Sequence, residues 1–182
     1  MDENSALHLA SVSKVLTATA ILKLVENDNI MLDQKVTDWL PSFPYKSTTI
    51  RTLLNHRSGL QHYSRFPELM KKNWNSKKIL SNKDILELMV KNKFRLISPD
   101  NTRFDYCNTN YVMLALIIEK ATGLSYGEAM KMLIFKPLNM KNTFVFDYFR
   151  DKDTVSMSYR NNKANPWDQF DNLNGDKNIY ST

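Results

Sequence analysis

The chain has 182 residues, 42% of them hydrophobic and 24% charged, with a formal net charge of +6. That is the make-up of one globular unit, or one lobe of a larger one, long enough to bury a core. A single cysteine, Cys107, excludes a disulfide scaffold; no run of 18 apolar residues exists to cross a membrane as a helix; and only four glycines argue against a turn-rich all-β fold.

Met1-Asp2-Glu3-Asn4 is acidic and polar, unlike a signal peptide. Leu7-His8-Leu9 alternates like a short strand leading into Ser11. From Val12 to Val25 the pattern predicts a helix, with Val15, Ala18, Leu22 and Val25 on its apolar face and Asn27-Asp28-Asn29 ending it. Leu32 to Pro41 reads as a turn and a short helix stopped by proline. Thr48-Thr49 can cap a helix through Ile50, Leu53 and Leu54, left by His56-Arg57-Ser58-Gly59-Leu60, where Gly59 suits a positive-φ cap. Phe66 to Ile79 reads as a polar connection bearing aromatic residues.

Ser81 and Asp84 open an amphipathic helix through Ile85, Leu86, Met89 and Val90. Ser98-Pro99-Asp100-Asn101 is a turn, and Phe104-Asp105-Tyr106 is extended. A strong helix is predicted from about Thr109 to Ala121, stopped by Gly123. Ser125 and Glu128 cap the next helix, which ends before Pro137. Beyond Thr143 the regular pattern fades, and Asn161 to Asn174 reads as a long loop. The expected fold is mainly α with few short strands.

Two pairs of residues carry candidate chemistry. Ser11 and Lys14 lie three apart at the start of an apolar helix, so they share a face, and the amine can reach the serine Oγ. The bland alternative is a capping serine beside a solvated lysine. Tyr106 and Asn108 lie two apart in an extended stretch and point to one side: a phenol to shuttle protons and a carboxamide to hold groups in place. Their bland alternative is a packed tyrosine and an N-cap asparagine. Ser13 is a rival nucleophile. His8, His56 and His62 are not at metal-ligand spacing, and His56 and His62 read as turn or surface histidines. Neither a glycine-rich phosphate loop nor a CxxC or HExxH motif is present. Lys71, Lys72, Lys77 and Lys78, around Trp74, read as a solvated basic surface, with polyanion binding as a minor alternative.

Taken together, these boxes resemble a family. Ala10-Ser11-Val12-Ser13-Lys14 resembles the first box of the serine β-lactamase and penicillin-binding protein superfamily, in its class C β-lactamase-like branch. Thr49 through Leu60 is similar to that branch's helix and turn, and Phe104-Asp105-Tyr106-Cys107-Asn108 resembles its second box. Gly123-Leu124-Ser125-Tyr126, Pro137 through Thr143 and Gly175 through Thr182 are similar to later segments. The resemblance implies that Ser11 is the acylated nucleophile and that Lys14 helps take its proton. It makes Tyr106 base and then acid, with Asn108 positioning Lys14 and substrate.

The resemblance also implies a β-lactam, D-alanyl peptide or ester substrate and no cofactor or metal. It implies an exported, periplasmic or cell-envelope parent, while the dispersal of the lysines along the chain argues against a nucleic-acid partner. Residues 1–182 would form a single partial domain, the helical lobe of the family's α+β fold, with most of the antiparallel sheet missing and a surface free to self-associate. The family's third box, a Lys/His-Thr/Ser-Gly strand that supplies an oxyanion donor, is absent, so weak or absent hydrolysis is expected. A non-catalytic module that binds cell-wall peptides or assembles with a partner is the alternative. Cys107 stands where a small residue is usual, Arg57 where threonine is commoner, and Asn178 where glycine is commoner, which predicts a looser loop there.

Overall fold

The computed structural model describes residues 5–182; the reading of Met1-Asp2-Glu3-Asn4 lies outside them. The fold is built around one helix. Residues Tyr111 to Ile118 form an almost unbroken apolar run, and a helix that is apolar all round must be enclosed. The first short strand, β1, is Leu7–His8; helices α1 (Ser13–Glu26), α2 (Val36–Trp39), α3 (Ile50–Leu54), α4 (Phe66–Met70) and α5 (Asn82–Asn92) then precede α6, Asn108–Thr122. Residues Thr109 through Ile118 of α6 are all buried. Helices α1, α2, α3 and α5 pack against it, as does α7, Tyr126–Met130, which runs on into a π-helical turn, Lys131–Phe135.

The helix ends follow the capping chemistry of the sequence. Thr49, Ser81 and Ser125 each accept a bond from the backbone N–H three residues on, opening α3, α5 and α7. Gly123 closes α6 at φ +69°.

Residues beyond Thr143 are more ordered than the pattern predicts. Strand β2 (Phe144–Val145) is followed by the one-turn helix α8, Tyr148–Asp151, capped by Asp147, whose side chain accepts from the N–H groups of Phe149 and Arg150. A small hairpin, β3 (Tyr159–Arg160) and β4 (Lys163–Ala164), interrupts the expected loop. Its two connecting residues, Asn161 and Asn162, both have positive φ, the tight-hairpin geometry that asparagine tolerates. The last strand, β5 (Ile179–Ser181), is the centre of an antiparallel sheet in the order β1-β5-β2, with Leu7 opposite Ser181 and Phe144 opposite Tyr180.

Two further expectations change. The segment from Phe66 begins as helix α4 because Phe66 is fully buried against Phe94, with ring centroids 4.5 Å apart, and Pro67 suits the first turn. The buried face of α1 is Lys14, Thr17, Ile21 and Leu24, not the stripe of Val15 and Leu22, which are exposed. The period was right, but the stripe is rotated by one residue, about 100° on a helix of 3.6 residues per turn. Polar side chains can face inward here because each meets a partner: Ser13 Oγ accepts the Ile179 N–H at 3.2 Å, and Thr17 donates to the Gly175 carbonyl at 2.6 Å.

Candidate active site

Ser11 lies exposed in a 3₁₀ turn, Ala10–Val12, that leads into α1. Ala10 before it has φ +47°, a left-handed conformation that costs a Cβ-bearing residue about 1–2 kcal/mol. The Ser11 side chain caps nothing, since α1 has no side-chain cap bond. Lys14, one turn on, is buried at 6% exposure. Its Nζ donates to Ser11 Oγ at 3.2 Å and to the Asp176 carbonyl at 2.7 Å. Neither residue fits the capping-and-solvated alternative.

Tyr106 reaches the same atom from the far side of the sequence. Its hydroxyl donates to Ser11 Oγ at 3.1 Å, and Lys14 Nζ stands 5.1 Å from the centre of its ring. The ammonium is also 5.7 Å from the Tyr111 ring, so two aromatic faces receive its charge. Ser11 Oγ thus sits between two donors, an arrangement that favours an alkoxide at this atom.

Asn108 enters the site differently from its expected role. The N-cap position of α6 falls to Cys107 and not to Asn108. The hydrogen bonds of Lys14 Nζ go to Ser11 and Asp176, while the Asn108 carboxamide oxygen is buried without a partner. A buried unpaired acceptor is costly, so this atom marks a place where a donor is wanted. Ser13 is fully buried and holds β5 instead.

Several residues at the site carried no signal in the sequence pattern. Asp176, fully buried, accepts from the Tyr63 hydroxyl at 2.7 Å through Oδ2, and its Oδ1 has no partner. Burial pushes its carboxyl up to about 6, against the opposing pull of the Tyr63 bond and of Lys14 and Lys177. Burial, reinforced by Asp176, likewise raises the Tyr63 phenol. The only forewarning lay in the Gly175-Asp176 turn itself: Gly175 has φ +97°, and a Cβ there would lie 2.2 Å from the Tyr111 carbonyl oxygen.

His56 is a turn residue as expected, but it is not on the surface: it is 8% exposed, with its ring 4.5 Å from that of Tyr106. Burial, with the charge of Lys14, pushes its imidazole down to about 4. Asn178 takes φ +74° without being glycine, and its side chain donates to the Asp171 carbonyl at 2.7 Å, so the loop expected to be loose is pinned. Cys107 is buried, and burial pushes its thiol up to about 11, which leaves it in the unreactive protonated form.

The family model described as Beta-lactamase matches residues 1–182. The chain belongs to the beta-lactamase family. It is 43% identical, over 144 residues, to a penicillin-binding protein of Bacillus subtilis, covering 79% of this chain and 31% of that protein. A D-aminopeptidase of Brucella anthropi is 30% identical over 141 residues, covering 78% of this chain and 26% of the relative. Among solved structures, the penicillin-binding protein of Bacillus halodurans superposes with a TM-score of 0.81 at 25% identity, covering all of this chain and 58% of that one. The chain therefore spans less than two thirds of each of these family members. Its mostly helical fold with a small sheet is the fold of the family's helical portion.

Among the described residues no cluster of His, Cys, Asp and Glu is arranged to hold a metal ion, and no helix is long and apolar enough to cross a membrane.

Proposed function

We propose that the chain carries the nucleophilic half of a serine hydrolase that works through an acyl-enzyme. The observation that supports this best is Ser11 Oγ, solvent-accessible and within 3.2 Å of both Lys14 Nζ and the Tyr106 hydroxyl. In this reading Ser11 Oγ attacks a carbonyl carbon and gives its proton to the Tyr106 oxygen, with Lys14 helping to draw it off. Tyr106 then passes a proton to the departing nitrogen or oxygen, and the carbonyl–leaving-group bond breaks. Water resolves the acyl ester by the reverse proton path. Asn108 supplies the buried oxygen that would accept a donor from Lys14 or from a substrate amide.

The relatives, penicillin-binding proteins and D-aminopeptidases by name, suggest the substrate class: a β-lactam or a peptide with a D-amino acid. Exposed Val12, Val15 and Leu22 provide an apolar face through which copies or a partner chain would associate.

The test is intact mass after incubation with a serine-directed fluorophosphonate. A single adduct on the wild-type chain, absent from Ser11→Ala, is the expected result. An adduct that survives in Ser11→Ala refutes the assignment of the nucleophile. No adduct at all favours a non-catalytic binding module of the same ancestry.

A further inference from the structure

We propose that His56 is a positioning residue for Tyr106, gripping the two peptide N–H groups on either side of it. This rests on the reading of Tyr106 as the proton carrier. The His56 carbonyl accepts the Asp105 N–H at 2.8 Å, and the His56 Nδ1 accepts the Cys107 N–H at 3.1 Å. One residue therefore fixes the backbone before and after Tyr106. It can do so because it lies at φ +56°, where its carbonyl and its ring both turn toward the 105–107 segment. A left-handed histidine is uncommon, and such a conformation persists only where its surroundings over-determine it.

The ring contributes as well. It packs against Tyr106 with centroids 4.5 Å apart, and against Tyr111 at 5.2 Å. The Asn110 amide nitrogen lies 3.4 Å from the same Nδ1, and its amide oxygen accepts from Ser58 Oγ at 2.6 Å. With N–H groups aimed at Nδ1, that nitrogen must be bare, so the ring proton sits on Nε2. The charged and titratable groups facing the ring are Lys14 from α1, Tyr106 and Cys107 from the extended segment, and Tyr111 from α6. The Asp105 carboxylate is turned away to Arg103, 2.9 Å off. Burial and Lys14 thus keep the imidazole neutral, and with it the grip, at neutral pH.

The variants are His56→Leu, which removes the acceptor, and His56→Asn, whose amide oxygen can replace Nδ1 and which tolerates positive φ. Two readouts separate this inference from the one it rests on. In nitrogen-15 spectra of the whole chain, His56 should be the Nε2–H tautomer and stay neutral to about pH 5. The Cys107 amide should be protected from exchange in the wild type and in His56→Asn but not in His56→Leu. An Nδ1–H tautomer, titration near the ordinary 6.5, or an unprotected Cys107 amide in the wild type overturns the proposal, whether or not Ser11 reacts.

The second readout is the rate of Ser11 labelling. Tyr106→Phe should slow it by about a hundredfold or more. His56→Leu should slow it at least about tenfold, and His56→Leu/Tyr106→Phe should be no slower than Tyr106→Phe alone. His56→Asn should stay within about threefold of the wild type, a fraction of a kcal/mol. Multiplying effects in the double variant, or His56→Asn as slow as Tyr106→Phe, would show that His56 does not act through Tyr106. An unchanged rate in Tyr106→Phe instead overturns the role of Tyr106, and leaves the grip to be judged by the spectra.

Discussion

Replacing Asp176 with asparagine should stabilise the protein at neutral pH. The carboxyl is fully buried, one oxygen is bonded to Tyr63 and the other is unpaired. Burial outweighs the nearby Lys14 and Lys177 and raises its pKa to about 6. A carboxyl in the unfolded chain titrates near 3.9, so the difference is about 2 units, or about 3 kcal/mol at 1.36 kcal/mol per unit. The sign follows from which state binds the proton more tightly. The folded protein does, so this contribution is complete below about pH 4 and is lost as the pH rises through about 6. Asparagine stays neutral throughout and keeps an acceptor for the Tyr63 hydroxyl.

Urea unfolding of both proteins at several pH values between about 4 and 8 measures the effect. The variant should be the more stable by up to about 3 kcal/mol at the top of that range, less about 1 kcal/mol for its unbonded amide hydrogens. The advantage should vanish toward about pH 4. Taking the difference removes the exposed pairs common to both proteins, such as Arg51–Asp33 and Lys23–Glu26. A difference that is constant with pH, or that grows toward acid, would refute the reasoning.

Gly175→Ala should destabilise the fold by about 3 kcal/mol or more, because it combines a left-handed backbone with a Cβ 2.2 Å from the Tyr111 carbonyl oxygen; a lowered urea midpoint is the readout, and an unchanged one would mean that the turn relaxes freely. Lys14→Met should leave the fold intact, since the new side chain fills the same buried channel, but cut Ser11 labelling by about a hundredfold or more; circular dichroism and the phosphonate rate separate the two.

What the sequence disclosed was what is local. Ser11 and Lys14 meet because three residues on a helix bring them to one side, and the caps at Thr49, Ser81 and Ser125 depend on the next three residues alone. Tyr106 stood out only when set beside a known pattern, for its bond to Ser11 spans 95 residues. Asp176 and Lys14 are 162 apart, and nothing in either neighbourhood announces the other. The buried face of α1 departs from its hydropathy stripe for the same reason. Hydropathy assigns Val15 and Leu22 inward, but the partners that make Ser13, Lys14 and Thr17 welcome inside come from residues 175–179. Strand β5 went unseen because a three-residue strand is defined by its neighbours, β1 and β2, rather than by its own alternation.

That distant lining has a consequence for synthesis. Ribosomes add about 5–20 residues each second, so roughly ten to thirty seconds separate the emergence of Lys14 from that of Asp176. During that interval α1 has no carbonyl to receive its ammonium and no β5 to receive Ser13. Ser11 and Lys14 are made well before the segment that orders them, so in a nascent chain of this protein the pair stays without its inner contacts until residues 175–181 fold back across it.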